Sequence, residues 1–158
     1  MKYIFTLLVV VSFLSCDSNC LCKMQSANVE VVQAMYDGFA EGNVDAVLAL
    51  MSENITWNEA ENFIYADKNP YIGPQGVAEG VFARIGGEWE FWNLEDMTVQ
   101  GAGNANVVAQ GRYKAKNKAT GKELNAQFVH YWTIEDGKAT KFQQYTDTKQ
   151  AAEVVIAD

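Results

Sequence analysis

The stretch FVHYWTIEDGKATKFQQYTD, Phe128 to Asp147, decides how the rest of the chain is read. It reads as two strands joined at Asp136-Gly137, a pair suited to the positive-φ positions of a two-residue hairpin turn. Strand side chains alternate between faces, so Ala126, Phe128, His130, Trp132 and Ile134 share one face of the first strand. The only histidine of the protein therefore stands in the middle of an apolar, aromatic surface. A histidine there is a proton-transfer candidate, because its ordinary pKa lies near neutrality. The plainer reading is a core histidine hydrogen-bonded to a neighbour. With a two-residue turn His130 faces Gln143, and Tyr145 and Asp147 share its side; a single bulge swaps these for Gln144 and Thr146. Alternation alone leaves both parities open.

Outward from the hairpin, the chain has the size and composition of one globular domain. Its 158 residues suffice for a full hydrophobic core, and 49% hydrophobic with 20% charged residues argues against disorder. The formal charge is −8 and no run of Lys or Arg occurs, a balance that repels phosphate backbones and excludes nucleic acid as a natural partner. There is no G-x-S-x-G, no Gly-rich phosphate loop and no metal-ligand spacing, so no cofactor is expected.

The N-terminus reads as a targeting segment. Lys2 supplies a minimal positive region, and Tyr3 to Ser15 form an apolar stretch too short to span a bilayer, so residues 1–15 are expected to be a signal peptide. Cys16, in the context Phe13-Leu14-Ser15-Cys16, resembles the lipidated cysteine of a bacterial lipobox. This implies a lipid-anchored envelope protein that touches the membrane only through its anchor; plain secretion with cleavage nearby is the alternative. Cys16, Cys20 and Cys22 are the only cysteines, so the folded domain has no disulfide framework. Residues 16–26 are expected to be a tether and 27–158 the domain.

Within the domain, Val29, Val32, Met35, Tyr36 and Phe39 recur at helical spacing, with Gly42 suited to end that helix. Asn43 is placed to cap a second helix carrying Val44, Val47, Leu48 and Met51. Ile55, Trp57 and Glu59 alternate as a strand, residues 60–74 form a loop, and Gln75 to Ile85 a third helix. Strands follow near 90–100, 105–116, 123–134 and 139–147. Helices first and antiparallel strands later make an α+β domain with the helices on one face of the sheet.

The order ααβαββββ, the segments Asn69-Pro-Tyr-Ile-Gly-Pro74 and Gly80-Val-Phe-Ala-Arg84, and the ending Phe142-Gln-Gln-Tyr-Thr-Asp147 resemble the nuclear-transport-factor-2-like superfamily over residues 27–150. Within it, the chain is most similar to the SnoaL-like, ketosteroid-isomerase-related group. That resemblance implies a strongly curved antiparallel sheet wrapped around N-terminal helices, a cone with an apolar pocket, and a homodimer through the outer sheet face, where Val129 and Tyr131 fall. It also implies cofactor-free acid–base chemistry of an isomerase or cyclase kind on a small apolar molecule. Counted from the hairpin glycine, His130 falls where the cyclases carry an inward histidine, while Gln144 replaces their aspartate. An amide orients a ligand but does not accept and return a proton. Glu59, near where steroid isomerases keep their base, and Asp147 are the substitutes; their plainer readings are a solvated strand end and a helix cap. Trp57, Phe82, Tyr113, Phe128, Trp132 and Tyr145, with Gln144, are the expected pocket lining, suited to an apolar, ring-containing ligand. A non-catalytic binding module without a proton relay is the alternative function.

Overall fold

In a computed structural model of the protein, residues 18–157 are described, with side chains from residue 23 onward. The leader, residues 1–15, and Cys16 lie outside them. The elements run α1 (Ser18–Ala40), α2 (Val44–Ala49), β1 (Met51–Asn58), β2 (Tyr71–Ile72), α3 (Gly73–Val77), a π turn (Ala78–Phe82), α4 (Ala83–Glu88), β3 (Trp89–Gly101), β4 (Asn106–Asn117), β5 (Glu123–Glu135), β6 (Lys138–Thr146) and α5 (Thr148–Val155). Among the described residues no helix is long and apolar enough to cross a membrane.

The expected tether is helical from Ser18 onward. Residues 18–28 contain neither Gly nor Pro, so the α1 ladder propagates backward with nothing to break it. The extension is also held from outside: Gln25 and Asn28 donate at 3.1 Å to the carbonyls of Gly103 and Asn104, in the turn between β3 and β4. At the other end Gly42 takes φ +70°, and Asn43 caps α2 by accepting from the Ala46 N–H at 3.2 Å.

The strands form one sheet in the order β2-β1-β6-β5-β4-β3, antiparallel except where β1 runs alongside β6. β5 alternates without interruption between buried and exposed residues. β6 does not. Its turn is the expected two-residue one, with Asp136 and Gly137 both at positive φ and Glu135 paired to Lys138. The ladder then slips at Thr140, so that Thr133 pairs with Lys141 and His130 with Gln144. The bulge settles the parity: Phe142 and Gln144 point inward, and Tyr145 points out, 59% exposed. A second slip lies in β3 between Glu95 and Thr98, where Asp96 takes φ 53°. Opposite it, a Cβ on Gly111 would come within 2.8 Å of both the Glu95 carbonyl and the Met97 sulfur, so only glycine lets the sheet fold so closely over itself there. These irregularities curl the sheet around α1 and the α3–α4 segment. The core, including Val32 and Met35 of α1, Ile55 and Trp57 of β1, Val81, and Phe128 and Trp132 of β5, lies in the hollow. The result is the expected NTF2-like cone.

Candidate functional site

The hollow is not filled. It keeps a narrow cavity of about 60 Å³, lined by apolar and aromatic side chains with a short polar set: Tyr36, Glu59, Tyr65, Tyr113, His130 and Gln144. Of the expected lining, Trp57, Phe82, Tyr113, Trp132 and Gln144 face this space. Phe128 lies behind it, stacked at 4.3 Å between centroids on both Tyr113 and His130. Tyr145 is on the opposite side of the sheet because of the Thr140 bulge. Asp147 is likewise outside the pocket: its carboxylate accepts from the Gln150 N–H at 3.0 Å and caps α5. Among the described residues no group of His, Cys, Asp and Glu is placed to hold a metal ion.

His130 is brought to the cavity wall by the strict alternation of β5 and is 5% exposed. Both ring nitrogens are occupied, Nδ1 by the Tyr36 hydroxyl at 2.7 Å and Nε2 by the Tyr113 hydroxyl at 2.5 Å. Burial pushes its pKa down to about 3, so the ring is neutral across the physiological range. Burial also drives both phenols above their usual range, for Tyr113 with the nearby Glu59 charge adding to the effect. The string continues at either end: the Trp132 indole N–H donates to Tyr36 at 2.9 Å, and Gln144 Nε2 donates to Tyr113 at 2.9 Å. Gln144 is itself oriented by the Ala60 N–H, which donates to its Oε1 at 3.2 Å.

Glu59 lies one residue past β1 and is 2% exposed, which rules out a solvated strand end. Asn69 draws it inward, accepting from the Glu59 N–H at 3.0 Å and donating to its carbonyl at 2.7 Å. The Trp57 indole N–H donates to Oε1 at 2.7 Å. Oε2 is the one buried side-chain polar atom among the described residues without a hydrogen-bond partner. Burial raises the carboxyl pKa to about 7, opposed in part by the Trp57 hydrogen bond and the Arg84 charge. A group so poised exists in both protonation states near neutrality, which is what proton transfer requires. Arg84 itself is engaged elsewhere, with Asp67 at 2.7 Å and over the Tyr65 ring at 4.1 Å.

Tyr36 is the member of this set that the sequence reading left as an apolar helix face. The available signal was its type: a tyrosine on a buried stripe carries a hydroxyl that needs a partner.

A curved sheet packed on helices around a narrow apolar cavity with a few buried polar groups defines a candidate small-molecule site in an NTF2-like cone. The chain belongs to the SnoaL-like domain family, whose model matches residues 32–142. No curated protein matches it. Among solved structures it is similar to an NTF2-like protein from Burkholderia thailandensis, at 27% identity over 82% of this chain and 97% of that one, TM-score 0.76. It is similar to TerC, co-crystallised with polyporic acid, at 26% identity over 81% and 97%, TM-score 0.67. A Xanthomonas campestris protein provisionally named a polyketide cyclase shares the fold at 18% identity over 84% and 99%, TM-score 0.73.

Proposed function

We propose that this protein binds a small, largely apolar carbonyl compound in its cone and moves a proton on it without a cofactor. Glu59 is the group that takes and returns the proton, while one of the two phenols beside His130 donates a hydrogen bond to the carbonyl oxygen. The carrying observation is the bare Oε2 of Glu59 on the cavity wall, in a carboxyl whose pKa lies at about 7. His130 enters as a neutral hydrogen-bonding ring, because burial removes its ability to act through a cationic form near neutrality. Co-crystallisation of the relative TerC with polyporic acid agrees with a small organic ligand.

The test is α-hydrogen exchange of 2-tetralone in deuterated water, followed by NMR. Exchange should be accelerated by the wild type, rise with pH through about 7, and be lost in Glu59→Gln. Binding without exchange would favour the non-catalytic reading, which rests on Gln144: its amide stands where cyclases carry an aspartate and is fixed by the Ala60 N–H.

Location and assembly belong to the same reading. Lipidation of Cys16 would place the pocket at the envelope; fatty-acid labelling that survives Cys16→Ser, or unlabelled wild type in the medium, would overturn it. The half-exposed Val129 and Tyr131 on the outer sheet face suit a homodimer, and a monomeric mass by light scattering would count against that.

A further inference from the structure

Hydrogen counting along the Tyr36–His130–Tyr113 string gives the site a property that neither Glu59 nor the fold supplies. An indole N–H only donates, so the 2.9 Å contact from Trp132 makes the Tyr36 oxygen an acceptor. At the far end, the backbone N–H of Ala60 fixes Gln144 Oε1 as an acceptor, so the amide turned to Tyr113 is the NH₂ group and the Tyr113 oxygen also accepts. Each phenol thus receives one hydrogen bond from an obligate donor. Between them stands a ring with one N–H and one bare nitrogen, in contact with both hydroxyls at 2.7 and 2.5 Å.

The phenol beside the bare nitrogen must donate to it. The phenol beside the N–H accepts a second hydrogen bond and keeps its own hydrogen, for which no acceptor is shown among the described residues. If Nε2 carries the proton, the surplus hydrogen is on Tyr113; if Nδ1 carries it, the surplus is on Tyr36. Both tyrosines line the cavity. One hydrogen is therefore left for a ligand in either case, and the tautomer of His130 decides at which end.

We propose that Tyr36, His130 and Tyr113 form a two-position donor that recognises a conjugated hydroxy-carbonyl compound, with the ligand selecting the tautomer. At the end holding the surplus hydrogen, the phenol donates to the ligand carbonyl. At the other end, the phenol oxygen accepts from the ligand hydroxyl through its remaining lone pair. The arrangement also carries a proton without charging the ring. Tyr113 gives its hydrogen to the ligand oxygen and takes the one on Nε2, Nδ1 takes the hydrogen of Tyr36, and Tyr36 takes the ligand's hydroxyl proton. One proton leaves the ligand and one arrives, and the imidazole ends in its other tautomer. This deepens the proposed function by naming the ligand class, but it does not depend on Glu59 acting as a base.

The experiment has two readouts. In protein labelled with ¹⁵N-histidine, Tyr113→Phe should fix the proton on Nδ1 and Tyr36→Phe should fix it on Nε2, because each variant leaves one hydroxyl to satisfy the ring. The same tautomer in the wild type and both phenylalanine variants would overturn the proposal. The second readout is binding of 4-hydroxyacetophenone against 4-methoxyacetophenone, which lacks the ligand donor. The wild type should prefer the hydroxy compound by about tenfold, the effect of one neutral hydrogen bond, and each single variant should lose that preference. Equal affinities in the wild type would overturn the ligand class. Failure of 2-tetralone exchange with both readouts as expected would remove Glu59 as the base and leave this donor standing.

Discussion

The cavity wall holds two buried titratable groups in opposite circumstances. His130 has both ring nitrogens in hydrogen bonds, and Glu59 has one carboxyl oxygen bonded and one bare. Desolvation moves each pKa toward the neutral form, down to about 3 for the imidazole and up to about 7 for the carboxyl. Only the second shift arrives near working pH. Burial alone therefore does not single out a proton-transfer group. What separates the two is hydrogen-bond completeness together with where the shift lands: the acid can take up and release a proton near working pH, whereas the histidine can pass one only by changing tautomer.

The largest expected effect that would break this contrast is at the histidine. A group whose folded pKa lies below its ordinary value contributes stability above the ordinary pKa and loses it as pH falls through the folded one. In a Glu59→Gln background, stability should fall between pH 6.5 and about 3 by on the order of 4 kcal/mol more than in Glu59→Gln/His130→Asn, by denaturant titration. Parallel curves would show that the ring is not held neutral. Glu59 acts in the opposite sense: its stabilising contribution is present below pH 4.5 and lost as pH rises to about 7. The wild type should lose on the order of 3 kcal/mol relative to Glu59→Gln across that window. No pH-dependent difference would mean that the carboxyl is solvated. Between pH 4.5 and 6.5 the two contributions oppose each other, so the wild type alone should show a muted dependence there.

Two residues outside the cone sharpen the contrast by doing little to it. Asp147→Ala should cost about 1 kcal/mol through the lost α5 cap while leaving 2-tetralone affinity unchanged. Tyr145→Ser should change monomer stability by less than about 0.5 kcal/mol and leave the same affinity unaltered. Weakened 2-tetralone binding in either variant would return that residue to the pocket.

Legibility in the sequence followed the regularity of each element. β5 keeps an unbroken period of two, so the inward set Phe128, His130 and Trp132 is readable residue by residue. β6 is not, because its extra residue, Thr140, is neither Gly nor Asn and carries no mark of a bulge. That one position misplaced Tyr145 and left the choice between Gln143 and Gln144 open. Glu59 was visible as a candidate, but its burial depends on the Asn69 side chain ten residues on, a contact with no periodicity to reveal it. Tyr36 meets His130 across 94 residues of chain, and helical spacing reports its face but not its hydroxyl's partner.

The slip at Thr140 has a consequence in the terms of heredity. On β6 the inner face carries Phe142 and Gln144, and the outer face carries Lys141, Gln143 and Tyr145. Loss of a single codon at position 140 would remove the bulge while every pair from Thr133–Lys141 to Phe128–Thr146 kept its partner, so Phe142 and Gln144 would still look into the cone. Ironing out the bulge with Thr140 kept would instead turn Lys141, Gln143 and Tyr145 inward. In this scaffold a deletion of three nucleotides at that point is silent for the pocket, and the extra codon is what the inner set tolerates, not what it depends on.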